Sequence, residues 1–211
     1  MNTYDSQTLN SPNPIARYAH RMRLKKSIDL ALPELKKGKL LDYGCGAGAF
    51  VYEMNKLSQG STIGYEPYMI ERHKEDLSVF NAMTDIEGFG PYNVISLFET
   101  IEHLTKDEID FFLDMCNRNL SPVGGILISA PIEVGPALIL KELNRSFMRF
   151  KMPEHQFVEF LKASLFGIAA RRAENIKTSH RGFDFRVAIA YLKKQGWNVS
   201  TMGYGPLPIA H

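Results

Sequence analysis

The 211-residue chain has only two cysteines, Cys45 and Cys116, and a single tryptophan. So few cysteines exclude a disulfide framework and fit a reducing compartment, so a cytoplasmic location is expected. No stretch approaches the roughly 20 apolar residues that a membrane span needs. The opening MNTYDSQTLNSPNPIARYAH lacks the apolar core of a secretory signal. Metal chemistry is equally short of material. The sequence holds no cysteine pair at ligand spacing, no HxxxH and no Asp-x-Asp cluster, so no metal site is expected. Internal repeats are missing too. What is present is an ordinary globular composition, 45% hydrophobic and 23% charged, long enough for one sizeable core with a small cap.

The net charge of +2 conceals an uneven distribution. Over residues 66–114, twelve acidic residues outnumber three basic ones, Arg72, Lys74 and Lys106. Over residues 135–172 the balance reverses, with seven basic residues (Lys141, Arg145, Arg149, Lys151, Lys162, Arg171, Arg172) against three acidic ones. Asymmetry of this kind bears on partners rather than on fold. The basic stretch suits an anionic substrate, an anionic membrane surface or nucleic acid, or else it is a solvated helix face.

Four regions are expected along the chain. Residues 1–38 form a polar arm and a capping helix over 15–32, with Ile15, Tyr18, Ala19, Met22 and Ile28 as its apolar stripe. Residues 39–134 form the core. There KLLDYG is a buried strand, 49–57 a helix, STIGYE a strand, and a helix opens at Pro67 and runs to Leu77. SVFNA and YNVISLF follow as strands. Thr105 and Glu108 make a capping box for a helix ending near Asn119, and after an SPVGG turn ILISAP is a further strand. The alternation predicts an α/β, doubly wound, Rossmann-like, mostly parallel sheet of seven strands or a shortened version of it. Residues 135–180, with Leu140, Leu143, Phe147 and Phe150 at helical spacing, are expected to form a helical lid inserted after the fifth strand. Residues 181–211 supply a last helix over 184–195 and a last strand, WNVSTMGY.

Asp42-Tyr43-Gly44-Cys45-Gly46-Ala47-Gly48 falls between a strand and a helix, at the edge where open α/β sheets bind ligands. Glycines let the backbone turn sharply and approach a ligand closely, and the following helix offers free N–H groups to a carboxylate or phosphate. The same run satisfies GxGxxA (Gly44, Gly46, Ala49), a dinucleotide pattern. Asp42 tips the balance, because a carboxylate two residues before the first glycine attracts an ammonium and repels a pyrophosphate. Glu66 ends the second strand and suits both ribose hydroxyls of a nucleoside, or simply a helix N-terminus.

The runs LLDYGCGAGAF, IGYEP, YNVISLFETIEHL and GGILISAP, taken in order, resemble the successive motifs of class I S-adenosylmethionine-dependent methyltransferases. The nearest subgroup is the one with a Glu-His-Leu signature after the fourth strand, here Glu102-His103-Leu104. The resemblance covers roughly residues 39–131. It implies S-adenosylmethionine as cofactor, with Gly44 and Gly46 under the methionine part, Asp42 near its amine, and Tyr43 and Cys45 of the same loop among the cofactor-binding residues. Glu66 would lie at the ribose, Asn81 or Asp85 at the adenine, and Phe98 and Glu99 beside the methionine moiety, with Pro67 also among the cofactor-binding residues. The chain ends soon after WNVSTMGYGPLPIAH, which implies a shortened terminal hairpin or a truncated sequence.

Methyl transfer from a sulfonium needs chiefly positioning, though a hydroxyl acceptor benefits from a general base near neutrality. His103, past the fourth strand, is one candidate. His155, in the basic insertion, and His180, before Gly182, are the others, and each of the three has a structural alternative as a capping or surface residue. The leading expectation is O-methylation of a small acceptor, anionic or linked to a sugar, nucleotide or lipid. A nicotinamide-dependent reductase and a non-catalytic methyltransferase-like binding module are the alternatives. Nucleic acid is not an expected partner, since no groove-reading or aromatic RNA-binding signature occurs. Contact of the 138–166 stretch with a membrane surface is a further option, and the oligomeric state is open.

Overall fold

A computed structural model describes residues 10–35, 38–58, 61–68, 72–74, 77–135, 138–139, 156–172 and 181–203. The chain divides into two compact units, one of Met1–Ile101 with Lys106–Ser129, the other of Glu102–Thr105 with Ala130–His211.

The first unit opens with helix α1, Pro14–Leu35. Asn13 builds its start: Oδ1 accepts from the N–H groups of Ile15 at 2.9 Å and Ala16 at 3.2 Å. Pro14 takes the first helical position, where its missing N–H costs nothing. Ile15 and Tyr18, expected on the buried stripe, are exposed. The half of α1 that meets the core starts later, with Leu24, Ile28, Ala31, Leu32 and Leu35 against Leu40, Phe50, Met54 and Val94.

Five strands follow: β1 Lys39–Tyr43, β2 Ser61–Tyr65, β3 Val79–Phe80, β4 Tyr92–Leu97 and β5 Leu120–Ile128. They form one sheet in the order β3-β2-β1-β4-β5 with every pairing parallel. β1 and β2 are buried from their second residue on, as apolar strands covered on both faces must be. Helices α2 (Ala49–Leu57), α3 (Met83–Glu87) and α4 (Lys106–Asn119) are the unit's further α-helices among the described residues. α4 begins directly after Thr105, where the sequence places its start, and turns Phe112, Leu113, Met115 and Cys116 inward. β2 and β3 lie on one side of β1 and β4 and β5 on the other, so the order reverses between β1 and β4, where sheets of this class receive ligands.

Three local expectations are corrected. Pro67, Tyr68, Arg72, His73 and Lys74 are not helical; instead the His73 N–H donates to the Ala47 carbonyl at 2.7 Å, which ties this segment to the loop after β1 rather than to its own previous turn. The stretch between β3 and β4 contains α3, too short to show helical periodicity. The SPVGG run is not a turn ahead of β5 but lies within it. Tyr92 pairs with Leu120 and Val94 with Gly125, so three additional residues bulge from β5 against β4.

The second unit contains α5, Phe157–Phe166, and α6, Phe185–Lys194. A reciprocal capping box joins Gln156 and Glu159 at the start of α5, and Gly167 closes its end. Asp184 caps α6 through the Arg186 N–H at 3.0 Å. The Arg186 guanidinium also reaches the Gly167 carbonyl at 2.6 Å, tying the start of α6 to the end of α5. Arg186 holds the Asp184 carboxyl below its ordinary range. Of the expected lid, residues 140–155 and 173–180 lie outside the described residues, and His155 and His180 lie with them. Residues 197–203 form no strand. Trp197 and Val199 alternate with exposed Asn198 and Ser200 in strand fashion, yet among the described residues no neighbouring strand pairs with them, and pairing is what makes a strand.

Candidate cofactor site at the carboxyl ends of β1 and β2

The glycine loop leaves β1 in a left-handed conformation at three points, with φ 75° at Gly44, 55° at Gly46 and 86° at Gly48. Gly44 is required on a second count, since a Cβ there would stand 2.5 Å from Thr100 Cγ2. The loop is held from both sides. The N–H groups of Gly44 and Cys45 donate to the Tyr65 carbonyl at 2.8 and 3.2 Å. The Thr100 hydroxyl lies 3.3 Å from the Gly44 carbonyl and 2.9 Å from that of Phe98.

Glu66 follows β2 and meets this loop. Its Oε2 accepts from the Gly46 N–H at 3.1 Å and its Oε1 from the Tyr68 N–H at 3.0 Å. Each carboxylate oxygen thus carries one backbone donor and keeps a second lone pair for a hydroxyl. Pro67 is exposed between the two. Asn81 joins the same cluster, its Nδ2 donating to the Glu66 carbonyl at 2.5 Å and its Oδ1 accepting from Arg72 at 2.8 Å. Asp85 does not join it. It lies exposed on α3, with the Thr84 hydroxyl 3.5 Å from its Oδ1.

Asp42 is 3% exposed and accepts a 2.7 Å hydrogen bond from the Ser96 hydroxyl. Burial pushes its carboxyl up to about 7, outweighing the Ser96 bond, with the Glu66 charge adding to the rise. Tyr43 belongs to the core. Its ring centroid lies 5.0 Å from those of Tyr65 and Phe112, and burial raises its phenol well above the ordinary range. Cys45 covers Gly64, where a Cβ would stand 2.5 Å from the sulfur. Burial raises its thiol strongly, so it serves packing rather than nucleophilic chemistry.

Past β4, Phe98 meets Phe50 edge-on at 5.0 Å. Glu99 has φ 49°, a left-handed conformation that costs a non-glycine residue free energy and is held by its surroundings. Here the holding is reciprocal: the Glu99 N–H donates to Ser129 Oγ at 2.9 Å, and that hydroxyl donates to Glu99 Oε1 at 3.0 Å. Arg23 of α1 approaches Glu99 Oε2 at 3.4 Å. His103 ends a short 3-10 turn, Ile101–His103, and belongs to the second unit, its Nε2 3.9 Å from Oε1 of buried Glu102.

Sequence reading missed Ser96, Thr100, Ser129 and Arg23. Only Ser96 left a signal, as a lone hydroxyl in the apolar run Val94-Ile95-Ser96-Leu97. The other three are joined to the site by tertiary contact alone.

A family profile described as a methyltransferase domain matches residues 16–173, well over half of the chain. No curated protein matches. Among solved structures, a protein from Pyrococcus horikoshii OT3 is 17% identical, with a TM-score of 0.51 over 68% of this chain and 69% of that one. A SAM dependent methyltransferase from Archaeoglobus fulgidus is 20% identical, with a TM-score of 0.48 over 58% of each chain, less than two thirds of that protein's length. The cyclopropane synthase MmaA2 from Mycobacterium tuberculosis is 17% identical, with a TM-score of 0.42 over 72% of this chain and 61% of that one. With its parallel sheet and left-handed glycine loop, this chain belongs to the methyltransferase-domain family and has the class I S-adenosylmethionine-dependent methyltransferase fold.

Proposed function

We propose that this chain transfers a methyl group from S-adenosylmethionine to an oxygen of a small acceptor. The observation that carries the proposal is Glu66, a carboxylate pinned by the Gly46 and Tyr68 N–H groups with a lone pair left on each oxygen. That arrangement suits two vicinal hydroxyls of a ribose. Asp42 adds the complementary charge: a buried carboxyl poised near neutrality becomes ionised when an ammonium approaches. A pyrophosphate would meet repulsion from the ionised Asp42 carboxylate, so the reductase alternative is disfavoured by charge as well as by family.

S-adenosylmethionine supplies a methyl group on a sulfonium whose leaving group is already activated. The protein's own part is positioning. In this proposal the glycine loop and Phe98 shape the methionine end, Asp42 balances its amine and Glu66 with Asn81 fixes the nucleoside. His103, His155 and His180 are the candidate bases for a hydroxyl acceptor. The excess of basic residues over 135–172 favours an anionic acceptor, linked to a sugar, nucleotide or lipid.

The test is transfer of labelled methyl from S-adenosylmethionine to paired acceptors that differ only in carrying or lacking a phosphate. Faster labelling of the phosphorylated member, on oxygen, is expected. Labelling only of nitrogen or carbon, or a preference for the neutral member, would overturn the acceptor assignment. Absence of transfer to any acceptor, with cofactor binding intact, would favour a non-catalytic binding module.

A further inference from the structure

The outer surface of α5 is inverted relative to an ordinary amphipathic helix. Phe157, Leu161 and Leu165 recur every four residues, with Val158 beside them, and all are exposed. Phe157 is 75% exposed, Leu165 64% and Phe166 73%, and Ile168 continues the surface beyond the Gly167 cap. The buried positions of the helix are instead small, Ala163 and Ser164. An apolar stripe normally faces a core, and a contiguous exposed one marks a contact surface.

Charge points to the kind of contact. The exposed cations of this segment are Lys162 and Arg171. Its one carboxylate, Glu159, is half-buried and occupied, closing the Gln156 capping box and pairing with Arg181. The surface is therefore apolar, with Lys162 between Val158 and Phe166, Arg171 beyond the helix end, and no exposed acid from 156 to 172. The sequence preceding it adds Lys141, Arg145, Arg149 and Lys151 against Glu142 and Glu154. A protein partner of matching shape would need an apolar face ringed by acids. An anionic bilayer supplies both chemistries in one surface.

We propose that α5 docks on anionic lipid bilayers, with Phe157, Val158, Leu161, Leu165 and Phe166 entering the headgroup boundary and Lys162 and Arg171 facing lipid phosphates. The docking rests on the α5 surface alone and stands whether or not methyl transfer is confirmed.

The test is co-sedimentation of the full chain with vesicles of phosphatidylcholine, with and without phosphatidylglycerol, at low and high salt. Binding is expected to the phosphatidylglycerol vesicles and to weaken with salt, because screening removes the phosphate attraction. Leu165→Glu, at an exposed position, is expected to reduce binding about tenfold or more, and Lys162→Glu with Arg171→Glu to remove the preference for phosphatidylglycerol. Circular dichroism and S-adenosylhomocysteine affinity, unchanged in these variants, confirm that the fold is intact. A second, independent pair, Phe157→Ser and Lys162→Gln, covers the case in which a charge-introducing variant fails to fold. Failure to sediment with any vesicle, or equal binding by folded variants, overturns the proposal. So does a wild-type dimer in sedimentation velocity that Leu165→Glu converts to a monomer without lipid binding, since the surface would then join two copies of the chain.

Discussion

Ser96 lies directly across from Asp42 in the parallel register of β4 and β1, and its hydroxyl donates to Asp42 Oδ1 at 2.7 Å. Both side chains are buried, so this bond is the lowering influence on a carboxyl that burial has raised from 3.8 to about 7. The sign of the linkage follows. A carboxyl with a raised folded pKa contributes stability that is full below its unfolded value and is lost as pH rises through the folded one. The ligand-free protein is therefore expected to lose thermal stability between about pH 4 and pH 8 from this group. Asp42→Asn should flatten that slope, as seen in thermal melts across the range.

Cofactor affinity should move in the opposite direction. An ammonium prefers the ionised carboxylate, so S-adenosylmethionine should bind more tightly as pH rises through about 7. Ser96→Ala removes the bond that favours the ionised form. It should shift that midpoint upward and cost about 1 kcal/mol of stability, both readable from calorimetric titrations at several pH values.

Glu66→Gln keeps the shape of the site but turns one acceptor oxygen into a donor. Charge-assisted bonds are worth about 1.5–3 kcal/mol, so affinity should fall roughly 10- to 100-fold. The melting temperature should change less than in Gly44→Ala. In the latter the new Cβ meets Thr100 Cγ2 at 2.5 Å in a φ 75° conformation, at a cost of about 1–3 kcal/mol. Thr100→Ser, which removes that methyl, should partly rescue Gly44→Ala.

Glu99 separates strain from charge. Glu99→Gly relieves the φ 49° conformation, while Ser129→Ala removes the bond holding it. Arg23→Ala should change stability by less than about 0.5 kcal/mol, because that pair is partly exposed. A fall in methyl transfer in Arg23→Ala at unchanged melting temperature would mark Arg23 as a positioning residue.

The sheet core was legible because burial and backbone chemistry leave local marks. Leu40-Leu41-Asp42 and Val94-Ile95 read as buried strands from their apolar runs, and Gly44, Gly46 and Gly48 as a loop from their spacing. Glu66 was legible as the acid that directly follows the second strand's apolar run. What depended on long-range contact was not. Arg23 approaches Glu99 across 76 positions of sequence and Ser129 reaches it across 30, and neither residue type signals a site by itself. Residues 67–77 show the converse error. Pro67 carries a helix-start signal, but the segment is instead held by Glu66 Oε1 at Tyr68 and by the Ala47 carbonyl at His73. Trp197 and Val199 carry strand alternation without a strand to pair with among the described residues, and α3 is too short to show a period.

The most direct test is isothermal titration of S-adenosylmethionine into the wild-type chain and into Glu66→Ala. Saturable binding at a single site in the wild type, weakened at least tenfold in Glu66→Ala, is the expected result. No binding to the wild type, or undiminished binding to Glu66→Ala, would contradict the assignment of this loop and carboxylate as the cofactor site.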